Sequence, residues 1–243
     1  MSSDTLILSC EHATAHVPAP YRRMFASEKA KRALNSHRGL DIGAVAIALD
    51  FRRVFRCKLL QASVTRLLVD TNRSPRHARL HSEFSRSLEA SERAKVLDAY
   101  YYPYRLQVKG AVESAIDSGR RVVHVSLHTF TPRLDGHVRT ADVGLLYDPA
   151  RLPEATLAAR WRDRLSSEAP AFRVRRNYPY RGYDDGLTTW LRSVFPAKSY
   201  VGIELEVNQR FFLRADAERT AVLLSALTAT LPLNAKGAAQ RRP

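Results

Sequence analysis

Apolar residues in this chain fall into two kinds of pattern. Short, near-continuous runs occur at Leu6–Leu8, Lys58–Ala62, Arg66–Asp70, Val122–Leu127, Val143–Tyr147, Phe172–Arg175 and Tyr200–Val207. Their length and β-branched content are those of interior strands. Between them, Ile42, Val45, Ala46 and Leu49 recur at helical spacing, as do apolar positions in 90–118, 153–168, 186–195 and 215–231. Pro103 interrupts the 90–118 segment, Pro153 suits a helical first turn, and Gly119 suits the residue that ends a helix. Strands alternating with helices predict an α/β fold of three layers, with a largely parallel or mixed central sheet and helices on both faces. The pattern predicts one domain over 1–233, with a flexible tail at 234–243.

The chemistry gathers where the apolar runs end. In open α/β sheets, ligands bind beyond the carboxyl ends of the strands. The stretch RRVVHVSLHTFTP ends its apolar run at His128, with Thr129, Thr131 and Pro132 leading into a loop; His124, inside the run, reads as a hydrogen-bonded core residue. Leu6–Leu8 runs into Ser9-Cys10-Glu11-His12, and His16 falls in the Pro-rich loop that follows. Arg66–Asp70 delivers Asn72 and Arg73, whose amide and planar guanidinium suit a carboxylate. Glu204 and Glu206 share one face of the otherwise apolar YVGIELEV run, where carboxylates are costly unless paired, metal-bound or catalytic. Asp41 reads locally as the N-cap of the helix that follows, with metal ligation as its rival role. The polar-aromatic NYPYRGYDDG segment, 177–186, reads as a loop that closes over a site. His77 and His81 read as exposed, and the tyrosines at 100, 101, 102 and 104 as helix packing.

Composition narrows the class. The chain has 243 residues, is 45% hydrophobic and 26% charged, and carries a net charge of +15. That charge invites a nucleic-acid reading. Yet the basic residues are spread from Arg22 to Arg242, with no zinc-finger, RRM or KH pattern, so nucleic acid is not the expected partner. Two cysteines make no disulfide framework, and neither a signal peptide nor an apolar run of membrane-spanning length is evident. The expectation is a cytoplasmic protein without a membrane segment.

The segments SCEHATAHVP, RGLDIGA, VTRLLVDTNRSP, VSLHTF, DVGLLYDP, NYPYRGYDDG and GIELEVNQRF, taken in order from Leu6 to Phe212, resemble the N-formylglutamate amidohydrolase family. That family is related in fold to the zinc carboxypeptidases and the aspartoacylase group. The resemblance implies metal-dependent hydrolysis of the amide of a small N-acyl amino acid, N-formyl-L-glutamate foremost. Zinc, or another divalent ion, would be held by His12, His128 and a carboxylate. Asp41 takes that third place, with Glu11 as the alternative, because the family relatives' ligating Glu position is Ala15 here. Glu206 would be the general base, with Glu204 as its alternative. Asn72 and Arg73 would hold the substrate carboxylate, with Arg66 and Arg181 as further cations. The competing readings are a basic α/β module that binds RNA or a phosphorylated ligand, and a metallo-carboxypeptidase-like peptidase.

Overall fold

The structure is a computed structural model that describes residues 4–213 and 216–233, so the expected tail at 234–243 lies outside the described residues. In chain order the elements are β1 (Asp4–Cys10), α1 (Glu28–Leu34), α2 (Ala44–Phe55), β2 (Lys58–Gln61), α3 (Ala90–Val96), α4 (Tyr102–Asp117) and β3 (Arg121–Phe130). A small hairpin of β4 (Arg133–Leu134) and β5 (His137–Val138) follows, then β6 (Val143–Leu146), α5 (Leu152–Glu168), β7 (Val174–Arg176), α6 (Leu187–Val194), β8 (Tyr200–Asn208), α7 (Arg210–Leu213) and α8 (Ala217–Thr230). The main sheet has six strands in the order β2-β1-β3-β8-β6-β7. Its first four strands run parallel, while β6 pairs antiparallel to β8 and parallel to β7. This is the mixed, mostly parallel α/β sheet that the strand-helix alternation predicts.

The two faces of the central strands differ in kind. On one face, Leu6, Leu8, Val123, Val125, Leu127, Ile203 and Leu205 pack against Ile47 and Phe51 of α2, Trp161 and Leu165 of α5, and Leu223 and Leu227 of α8. On the other, the apolar packing of α4 and α6 is confined to the amino-terminal end, around Ile7, Val122 and Tyr200. Beyond that the same face turns polar, with Ser9, His124, Ser126 and His128 leading toward the carboxyl edge. Register places Ser126 beside Glu204 and His128 beside Glu206. His124 is fully buried between Tyr200 Oη (2.8 Å) and Ser9 Oγ (2.7 Å), and burial lowers its pKa to about 4. It is the hydrogen-bonded core histidine that its mid-strand position predicts.

Several elements depart from expectation. Arg66–Asp70 is not a strand but a turn, closed by Leu68 N and Val69 N on Thr65 O (3.0 and 3.5 Å). Its Leu67, Leu68 and Val69 are buried all the same, in a satellite cluster with Tyr21, Phe25 and Tyr101, which is why the run looks like a strand. Asp41 is not a helix cap: α2 starts only at Ala44, after Gly43 in a left-handed conformation (φ 92°). The buried stripe of α2 is Ala44, Ile47, Ala48 and Phe51, whereas Leu49, expected on it, is half exposed. β3 continues two residues past His128, to Phe130. β7 begins at Val174 rather than Phe172. Before Pro103 the helical path widens into a π-turn over Leu97–Tyr101, which accommodates a ring that would clash with an α-helical carbonyl.

Segment 177–186 is seated directly on β6. Asn177 Oδ1 accepts Tyr147 N (3.0 Å) and Gly182 N (3.1 Å), and Asn177 N donates to Leu145 O (2.9 Å). A Cβ at Gly144 would stand 1.9 Å from Tyr178 O, so only glycine permits this approach. Gly144→Ala is expected to destabilise the fold by about 1–3 kcal/mol, as overpacked sites do. Denaturant unfolding reads this; an unchanged midpoint would mean that the segment does not rest on β6.

Candidate active site

His12 follows β1, Asp41 precedes α2, and His128 lies near the end of β3. The three are brought together at the carboxyl edge of the sheet, each 5% exposed or less. The imidazole rings stand 5.0 Å apart. Asp41 Oδ2 lies between them, 3.2 Å from His12 Nδ1 and 2.8 Å from His128 Nδ1. The far nitrogen of each ring meets a second buried carboxylate: His12 Nε2 reaches Asp70 Oδ1 at 2.8 Å, and His128 Nε2 reaches Glu11 Oε2 at 3.0 Å. Glu11 therefore stands behind His128 rather than beside Asp41; the Ser126 hydroxyl donates to its Oε2 (2.5 Å) and the Tyr104 hydroxyl to its Oε1 (2.9 Å).

One candidate donor atom from each of His12, Asp41 and His128 can be chosen so that all lie within 4.8 Å of one another. Two nitrogens and an oxygen, buried and with the outer imidazole nitrogens held by carboxylates, are a donor set suited to a divalent metal ion such as zinc. The imidazoles and the buried carboxylates set one another's charge. Burial alone would lower the His128 pKa, but Asp41 and Glu11 outweigh it and raise that pKa well above the usual value. Burial likewise opposes the charges on Glu11 and Asp41, yet the imidazoles hold both carboxyls far below their ordinary range.

Glu206 differs from every other carboxylate here. It is 5% exposed, and its Oε2 is buried with no hydrogen-bond partner. Burial pushes its carboxyl up to about 8; His128 opposes that rise, and Asp41 and Glu204 add to it. Glu204, one step back along β8, is engaged by the Thr188 hydroxyl of α6.

His12, Asp41, Asp70, His128, Glu204 and Glu206 line a cavity of about 540 Å³, together with Arg66, Asn72, Arg73 and Arg181. Arg66 is also tied to the donor cluster, at 2.8 Å from Asp70 Oδ2 and 3.6 Å from Asp41 Oδ1. Asn72 Oδ1 accepts Leu187 N (2.7 Å), which turns its amide nitrogen toward His128 Nε2 (3.5 Å). Arg73 Nη1 donates to Asp185 O (3.0 Å). His81, expected to be exposed, is half-buried in the cavity wall, with Nδ1 3.1 Å from Leu68 O; His77 is half-buried outside the cavity, and His16 lies outside it too. Three contributors are missing from the sequence reading. Asp70 orients His12, and its signal was its place directly before Thr71-Asn72-Arg73. Arg192 and Glu154 form a buried ion pair (3.0 Å) whose guanidinium also holds Gly182 O, next to Arg181; helical charges of this kind look like surface residues.

The same architecture recurs in solved structures. A gene product of Agrobacterium tumefaciens is 27% identical, with a TM-score of 0.78 over 95% of this chain and 90% of that one. The N-formylglutamate amidohydrolase of Ralstonia eutropha, at 20% identity, shares the fold with a TM-score of 0.72 over 95% of this chain and 92% of that one. No curated protein matches the chain. Fold and family model together make it a hydrolase of the amidohydrolase class. It belongs to the N-formylglutamate amidohydrolase family, whose model matches residues 4–213. Among the described residues no helix is long and apolar enough to cross a membrane.

Proposed function

We propose that the chain hydrolyses N-formyl-L-glutamate, or a close N-acyl amino acid, with a divalent ion, zinc by preference, held by His12, Asp41 and His128. The observation that carries this reading is the shared orientation of the two imidazoles. Each turns Nδ1 toward one Asp41 oxygen and rests Nε2 on a separate buried carboxylate. That is how metal-binding histidines are kept in one tautomer and one orientation. A zinc ion there supplies Lewis acidity, polarising a carbonyl and lowering the pKa of water.

The side chains account for the rest. Glu206 takes a proton from the attacking water and passes it to the amide nitrogen as the C–N bond breaks. Hydroxyl adds to the formyl carbon and hydrogen to the nitrogen, giving formate and the free amino acid. Its unpartnered Oε2 and raised pKa suit it to hold that proton between the two steps. Asn72, Arg73 and Arg181 offer donors to the substrate carboxylates, while Arg66 offsets the burial of Asp70 and holds that carboxyl well below its ordinary range.

Formate release from a panel of N-formyl and N-acetyl amino acids, with metal content of protein purified without chelator, tests the reading. Hydrolysis that needs the metal supports it. Absence of both bound metal and turnover would favour a binding module instead. Within the panel, Arg73→Lys should behave like Arg73→Ala, because a point charge cannot replace the planar fork. The expected loss is about 2–5 kcal/mol in kcat/KM for carboxylate-bearing substrates. An equal loss on an uncharged N-formyl amide would make Arg73 structural.

A further inference from the structure

Arg105 of α4 is a buried cation that the chemistry above leaves unused. It is 4% exposed and has no carboxylate within ion-pairing distance among the described residues. A buried charge without a counter-ion is costly, and what surrounds it shows what its presence achieves. Its Nη1 donates to two main-chain oxygens, Thr71 O at 3.0 Å and Arg73 O at 3.1 Å. Its guanidinium carbon lies 4.5 Å from the ring centroid of Trp190 in α6 and 5.2 Å from that of Tyr101. The Tyr101 hydroxyl adds a second donor to Arg73 O (2.6 Å).

These contacts converge on four residues. The turn Asp70–Arg73 carries the carboxylate that orients His12, the amide that faces His128 and the guanidinium that lines the cavity. Its inner bonds are Arg73 N to Asp70 O (3.0 Å) and Asn72 N to Asp70 Oδ1 (3.0 Å). Asp70 N on Leu80 O (2.9 Å) and Thr71 Oγ1 on Glu11 O (3.3 Å) anchor its first half, and Arg105 joins the carbonyls of Thr71 and Arg73 from α4. Through Trp190 it also abuts α6, whose first-turn amide at Leu187 holds the Asn72 side chain. Both clamp residues, Arg73 through its carbonyl and Asn72 through α6, thus refer to one guanidinium.

We infer that Arg105 is a positioning residue for anion recognition, setting the Asn72–Arg73 clamp without touching the substrate. The inference rests on the clamp reading given under the proposed function. Arginine is required because one nitrogen must bridge two carbonyls while a flat cation stacks on two rings. Lysine retains the charge and can make one such bond, so it should rescue only in part.

The experiment compares wild type, Arg105→Lys and Arg105→Met in two assays. Glutarate binding, followed by calorimetry, needs no turnover. Its affinity should fall about tenfold in the Lys variant and further in the Met variant, the scale of lost hydrogen bonds to a charged group. In kinetics, KM for N-formyl-L-glutamate should rise in step while kcat and metal content change little, and an uncharged N-formyl amide should be unaffected. Unchanged glutarate affinity, equal losses on both substrates, or full rescue by lysine would overturn the inference. Should the Met variant fail to fold, the Lys variant alone decides. Glutarate binding that depends on Arg105, in an enzyme that cleaves no N-acyl amino acid, would sink the proposed reaction and leave this role standing.

Discussion

Exchanging Glu206 for Gln is expected to lower turnover of N-formyl-L-glutamate about a hundredfold or more, with KM and metal content little changed. That is the usual scale for a positioned acid-base group. Steady-state kinetics and metal analysis read both. Loss of metal in this variant, with loss of turnover in Glu204→Gln, would make Glu204 the general base instead. The same variant should be more stable than wild type when both are metal-free at alkaline pH. Folding raises the Glu206 pKa from 4.5 to about 8. A carboxyl raised in this way favours the folded state fully below about 4.5 and loses that contribution as pH rises to about 8. Since tenfold in proton affinity is about 1.4 kcal/mol, the loss has a ceiling of about 5 kcal/mol. Unfolding curves of the two proteins should separate across that window; a constant offset would show that Glu206 does not ionise inside the fold.

Removing His128 should have the second large effect. His128→Ala is expected to abolish metal retention through gel filtration, since the donor set falls to His12 and Asp41. The metal-free variant should also be less stable by about 3–5 kcal/mol, the cost of leaving one partner of a buried ion pair behind. Glu11, 1% exposed, would lose its cationic partner and keep neutral hydroxyls such as those of Ser126 and Tyr104. The pH dependence follows from both partners. Glu11 is lowered, so its share is present above about 4.5 and lost as pH falls below that; His128 is raised, so its share is full below about 6.5 and lost as pH climbs through its higher folded value. The stability deficit should therefore be widest between those limits and shrink in alkali. Retention of stoichiometric metal by the variant would remove His128 from the donor set.

The strands that carry the chemistry were legible because their signal is local. In β3 the alternation of Val123, Val125 and Leu127 with His124, Ser126 and His128 names both faces at once, and β8 repeats it with Glu204 and Glu206. Asp41 was legible only as a polar residue before a helix. Its actual partners lie 29 and 87 residues away, and the glycine that delays α2 is an ordinary residue until its backbone angle is seen. Leu67–Val69 misled for a related reason, since burial in a turn and burial in a strand leave the same apolar letters. Arg105, Glu154 and Arg192 sit in helices at spacings that look solvent-facing, and only tertiary packing reveals them as interior charges. The family resemblance supplied what spacing could not, an expectation that widely separated histidines meet.

The two outer strands of the sheet bear on the surplus of positive charge. β2 and β7 end the sheet on either side, and a free strand edge is a template for pairing with another chain. β7 is three residues long and exposes Arg175 and Arg176; β2 is four residues long and exposes Lys58 and Gln61. Bringing two such edges together would oppose cation to cation in both cases. Cations on the outer strands therefore oppose edge-to-edge pairing of one copy's sheet with the next, a use of positive charge that is independent of catalysis.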